Sequence, residues 1–128
     1  MKILLDTHVI IALLHEDLRS RYPQIEGALD NPANESFFST ASLWEIAIKA
    51  RLGKLDPNMA LDKISAYIQS FGIGILPISD EHAVAEALPP PPTRDPSDRL
   101  LLAQCHVEGL RLATIDRALR EHPLALRF

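Results

Sequence analysis

The chain has 128 residues, 47% of them hydrophobic and only 5% aromatic, a size and composition for one domain around an aliphatic core. Thirteen basic against seventeen acidic side chains leave a net charge of −4, which excludes the basic coat of a bulk DNA binder but not a nuclease whose metal site is itself acidic. The single cysteine, Cys105, excludes an intrachain disulfide and any Cys-x-x-Cys motif.

The apolar N-terminus is interrupted by Asp6, His8 and His15. It reads as a buried strand, Ile3-Leu4-Leu5, rather than a secretory leader. No run is long enough to cross a bilayer, and a cytoplasmic location is expected. Residues 8–14 predict a helix, residues 18–30 another broken near Pro23, and residues 31–34 a turn. A strand follows at 36–39; Thr40 or Ser42 is expected to cap a helix that runs to Leu52 and stops at Gly53. Next come a helix over 59–70, a strand over 74–78, and a helix capped by Ser79 or Asp80 that ends near Leu88. Pro89 to Pro92 form a stiff connector. Asp95 caps a helix with Pro96 at its first position and Asp98 in its first turn, ending at Gly109. A strand over 111–114, a short helix opened by Asp116 and a fifth strand over 124–126 complete the chain. Alternating strands and helices predict one α/β domain over residues 1–128 with a mainly parallel five-stranded sheet. In such sheets ligands bind at the carboxyl ends of the strands.

Four acids stand at those ends or beside apolar runs: Asp6, Glu45, Asp98 and Asp116. Carboxylates are placed there only when something compensates their charge. A shared divalent cation would do so, and an all-oxygen donor set suits Mg²⁺ or Mn²⁺. Each acid also has a purely structural reading. Asp6 can cap the helix after strand 1. Glu45 can pair with Lys49 four residues on, although Leu43, Trp44, Ile46, Ala47 and Ile48 make its helix apolar nearly all round. Asp98 can favour the helix dipole, although it shares a stripe with Leu101, Leu102 and Cys105. Asp116 can cap Arg117-Ala118-Leu119, and Thr114 beside it can serve a metal-bound water or the backbone equally well. Glu45 and Asp98 are both expected in first helical turns. The four converge only if strands 1 and 4 are neighbours. The five histidines show no metal-binding spacing; His8 alone can line the site. The apolar neighbours of Cys105 predict a buried, inert thiol.

These segments resemble the PIN-domain family, and within it the VapC-type toxins of bacterial toxin–antitoxin pairs. The resemblance is carried by Leu4-Leu5-Asp6-Thr7-His8 and by Ala41-Ser42-Leu43-Trp44-Glu45-Ile46-Ala47-Ile48-Lys49 with Gly53-Lys54-Leu55. It continues through Leu88-Pro89, Arg94-Asp95-Pro96-Ser97-Asp98-Arg99-Leu100-Leu101, Ala103-Gln104, Glu108-Gly109-Leu110 and Thr114-Ile115-Asp116. Thr93 and Ser97 depart from it, standing where His and Phe are common. The resemblance implies a three-layer α/β/α fold, Mg²⁺- or Mn²⁺-dependent ribonuclease activity, homodimers, and neutralisation by a small cognate antitoxin protein.

The chemistry expected is metal-assisted hydrolysis of RNA phosphodiesters. Asp6, Glu45 and Asp98 are the core ligands, and Asp116 serves a second metal or a water-mediated contact. Thr7, Lys49, Arg94, Arg99 and Thr114 are candidate substrate contacts, the cations through RNA phosphates. Two rivals remain: a binding module for RNA or antitoxin that never cuts, and a phosphohydrolase with Asp6 as nucleophile. The second lacks the further Asp expected two residues after Asp6.

Overall fold

The computed structural model describes all residues, Met1–Phe128. Strand β1 (Lys2–Leu5) buries Ile3 and Leu5 in one apolar cluster and Leu4 in another, so it faces a core on both sides. Two-sided burial suits an interior strand. β1 accordingly lies between β2 (Glu35–Ser39) and β4 (Arg111–Ala113), and β3 (Gly74–Leu76) completes a sheet of order β3-β2-β1-β4. Every pairing is parallel.

The first helices contribute to the cluster on the Ile3 side: α1 (Thr7–Leu14), α2 (Leu18–Arg21), α3 (Pro23–Asp30), α4 (Thr40–Arg51) and α5 (Ile64–Gln69). After α6 (Asp80–Val84), helices α7 (Pro96–Glu108) and α8 (Arg117–Arg120) close the Leu4 side through Leu101, Leu102, Cys105 and Leu119. The result is the expected α/β/α sandwich.

The sheet has four strands, not five. Ala125 makes only an isolated parallel bridge to Leu112, with Leu112 N–H donating to Leu124 and Leu126 N–H to Leu112. β4 is three residues long, and the Leu124 N–H that would extend the ladder donates to His122 Nδ1 instead, while the Leu110 N–H donates to Cys105. β3 stops at Leu76, where Pro77 follows with no N–H to donate. The helix predicted over 59–70 is a 3-10 turn (Leu61–Lys63) leading into α5. α6 ends at Val84, short of Leu88: Ala85 is already extended, and Ala87 turns into the Leu4-side core.

The cap of α4 is Ser39, which accepts from Ala41 N–H at 3.0 Å, rather than Thr40 or Ser42. Strand therefore passes directly into helix, and Glu45 falls in the second turn of α4, not the first. Nor is α4 buried all round: only Ala41, Ser42 and Ile46 are, and Trp44 is 68% exposed.

Candidate active site

The neighbouring positions of β1 and β4 set the geometry. Asp6 N–H donates to Ala113 at 2.9 Å, and the Thr114 hydroxyl donates to Asp6 Oδ2 at 2.6 Å. Asp116 N–H donates in turn to Thr114 Oγ1 at 3.1 Å. Asp6 holds the cap position of α1, but its side chain makes no capping bond and is buried. Burial pushes its pKa up; the Thr114 hydroxyl, His8 and the Thr7 N–H oppose the shift, and Asp116 adds to it. Asp116 does cap α8, accepting from Ala118 N–H at 2.8 Å through Oδ1.

Asp98 enters from the other face of the sheet. It heads the buried stripe Leu101, Leu102, Cys105 of α7 and is itself buried. Its Oδ2 accepts from the Thr93 hydroxyl at 3.3 Å. Burial, then the charges of Asp95, Asp6 and Asp116, raise its pKa to about 6. Asp6, Asp98 and Asp116 thus share one field of like charge. Asp95 is exposed and caps α7, accepting from Ser97 N–H at 2.9 Å.

Glu45 stands differently. Burial alone would raise its pKa, but the facing Ser97 hydroxyl, the Lys49 ammonium and His8 outweigh it and hold the carboxyl below its ordinary value. Lys49 Nζ lies 2.9 Å away, so the four-residue ion pair forms. No three His, Cys, Asp or Glu side chains stand close enough together to enclose one ion. The chemistry of the donor set nevertheless fits a hard divalent cation: oxygen donors only, on carboxylates that repel one another.

Of the other candidates, Thr7 is buried with its hydroxyl 2.9 Å from that of Ser42, tying α1 to α4. Arg94 is exposed, and Arg99 donates through Nε to the Thr93 carbonyl at 3.1 Å. The Cys105 thiol is buried, and burial pushes it up to about 12. Buried His82 and His122 are engaged by neighbouring groups, His82 with Glu108 and Ser79, His122 with Pro89 and Leu124. Thr93, marked in the sequence only as a departure from the family pattern, organises this corner. Its hydroxyl holds Asp98 and accepts the Asp95 N–H at 3.1 Å, and the signal for it was a hydroxyl two residues before a helix cap.

Two tests follow from these contacts. Thr114→Val keeps the shape of the side chain but strips a donor from a buried carboxylate. It should lower stability by about 1–3 kcal/mol at neutral pH, whereas Thr114→Ser should retain most of it; paired urea melts decide. The raised pKa of Asp98 sets a pH dependence as well. The folded state holds that proton more tightly than the unfolded chain, so this contribution to stability is full below the unfolded value near 3.8 and is lost as pH rises through about 6. In EDTA, the wild-type melting temperature should therefore gain on that of Asp98→Asn as pH falls from 7.5 to about 5. Parallel curves would refute this.

In a parallel α/β/α sheet, ligands bind at the carboxyl ends of the strands, where Asp6 follows β1 and Thr114 follows β4. The PIN domain model matches residues 3–123, and the chain belongs to the PIN-domain family, whose members are in general nucleases. Among solved structures it is similar to the crystal structure of VapBC2 from Rickettsia felis bound to a DNA fragment from their promoter. The TM-score is 0.65 at 15% identity, over 98% of this chain and 96% of that one. No curated protein matches the sequence significantly.

Proposed function

We propose that this chain is a divalent-metal-dependent endoribonuclease, the toxin member of a cytoplasmic toxin–antitoxin pair. The observation that carries the reading is the buried Asp6 carboxylate, fixed by Thr114 and sharing a field of like charge with Asp98 and Asp116. Uncompensated, that arrangement opposes folding and repels phosphate; with a cation it becomes a phosphate site. Asp6, Glu45 and Asp98 would hold Mg²⁺ or Mn²⁺, with Asp116 at a second ion or acting through water. The bound metal supplies Lewis acidity and a water of lowered pKa.

The chain's own residues do the positioning. Thr114 orients Asp6, and Thr93 orients Asp98. Lys49, paired with Glu45, and the exposed Arg94 and Arg99 would take RNA phosphates. The same acidic cluster suits an Arg or Lys of a small antitoxin, which would oppose metal binding electrostatically. A homodimer is part of the proposal, checked by sedimentation at micromolar concentration.

The deciding experiment incubates purified protein with total RNA in Mg²⁺ or in EDTA and maps new 5′ ends. Discrete cuts in Mg²⁺ only are expected. RNA binding that is indifferent to EDTA, with no cleavage, would reduce the protein to a binding module. A phosphoenzyme trapped on Asp6 would make it a phosphohydrolase.

A further inference from the structure

A cavity of about 420 Å³ opens beside Thr114, between the α2–α3 junction and the segment that follows α8. Its volume is that of a small-ligand cleft, roughly 300–1,000 Å³. Thr114 belongs to both sites, since its hydroxyl is bonded to Asp6 while the residue lines the cavity wall. On a chain of net charge −4, this wall carries Arg21, Arg120 and Arg127 against a single acid, Glu121.

The three arginines are not equivalent. Arg127 is a strut: its guanidinium donates to the carbonyls of Arg120 and Glu121, at 3.0 Å each, and lies 3.5 Å from the Glu121 carboxylate. Arg21 lies over the Tyr22 ring at 5.3 Å, with a 3.4 Å contact to Asp17. Arg120 enters these contacts only through its backbone carbonyl, so its guanidinium is free to bind. Ile115 adds an apolar surface at the strand end. An aromatic face, a stacked guanidinium, an apolar floor and a free cation together fit a flat base carrying a phosphate. They fit an apolar peptide segment poorly.

We propose that this cavity seats one nucleotide of a single-stranded RNA, next to the phosphodiester held at the acidic cluster. The base packs on Tyr22 and Arg21, and its phosphate binds Arg120. This rests on the RNA-cleaving reading above, and it makes the cavity the place where the enzyme grips the strand beside the cut.

The test is fluorescence anisotropy with a labelled short single-stranded RNA in EDTA, on wild type, Arg120→Ala and Arg19→Ala. Arg19 is 83% exposed and pairs with Glu26, so its loss removes the same charge outside the cavity. Arg120→Ala should weaken binding about tenfold and flatten the slope of log K against log salt by about 0.7. Arg19→Ala should change affinity by less than about twofold. In Mg²⁺, the cleavage defect of Arg120→Ala should fall mainly on KM. Equal affinities in all three proteins would overturn the assignment, as would equal losses in both variants, while Asp6-dependent cleavage would leave the RNA-cleaving reading intact. Normal RNA binding by Arg120→Ala with loss of antitoxin binding would make the cavity a protein-docking site and also overturn it. A wild type that neither binds nor cuts RNA would sink both.

Discussion

Asp6→Asn is expected to lower RNA cleavage by on the order of 100-fold or more without unfolding the protein. The substitution keeps the size of the side chain, and the Asn carbonyl can still accept from the Thr114 hydroxyl. What it removes is the charge of a proposed metal ligand, where the metal contributes several kcal/mol and each 1.36 kcal/mol is about tenfold in rate. Stability should move the other way. Burial raises the pKa of Asp6, so at neutral pH its ionised form is disfavoured in the folded state, and a neutral amide relieves that penalty. In EDTA the variant should melt at or above the wild-type temperature; in Mg²⁺ the wild type should gain and the variant should not. Cleavage near the wild-type rate would remove Asp6 from the site. A lower melting temperature in EDTA would contradict the electrostatic argument alone.

The second large effect separates two aspartates at one helix start. Asp95 is exposed and its carboxylate caps the Ser97 N–H, so Asp95→Ala should lower stability by about 0.5–2 kcal/mol and leave cleavage in the folded fraction. It should also ease the Asp98 titration slightly, since Asp95 is the foremost charge raising it. Asp98 is buried at the head of the α7 stripe. Asp98→Ala should collapse cleavage and weaken Mn²⁺ binding, with no loss of melting temperature comparable to that of Asp95→Ala. Thermal melts, metal titrations and cleavage assays on both variants settle the matter. Loss of cleavage in Asp95→Ala at unchanged stability, with normal cutting by Asp98→Ala, would reverse the assignment.

The distinction between these two residues was legible from the sequence, because Asp-Pro-x-Asp before an apolar stripe fixes both the cap and the phase of the helix. The pairing of β1 with β4 was not. Strand order depends on which crossover buries more apolar surface, and neither Ile3-Leu4-Leu5 nor Leu112-Ala113 encodes its neighbour. Glu45 was misplaced by one turn because the cap was sought after the strand, at Thr40 or Ser42. Ser39 is at once the last residue of β2 and the first cap of α4. Composition also suggested that α4 was sheathed in core, yet a run such as Leu43-Trp44-Glu45-Ile46 presents successive side chains about 100° apart, and Trp44 faces out. The fifth strand failed for a local reason, the loss of the Leu124 N–H to the His122 ring. The basic cavity escaped entirely, since Arg21, Thr114, Arg120 and Arg127 share no motif and meet only once the ends of the fold are brought together.

The hydrogen bond between Thr114 and Asp6 spans 108 positions of the sequence, and this has a consequence for the order of events at the ribosome. Asp6 is made 108 residues before the hydroxyl that orients it. A nascent chain that has not yet released β4 leaves one flank of β1 unpaired, and Asp6 has neither its Ala113 nor its Thr114 contact. At roughly 5–20 residues per second, that interval lasts about 5–20 seconds, during which the carboxylates lie scattered along an incomplete sheet. Chains cut short by stalled synthesis before Arg111 lack Asp116 as well as the strand that gathers the site. The topology therefore withholds the assembled cluster until β4 and Asp116 have been made.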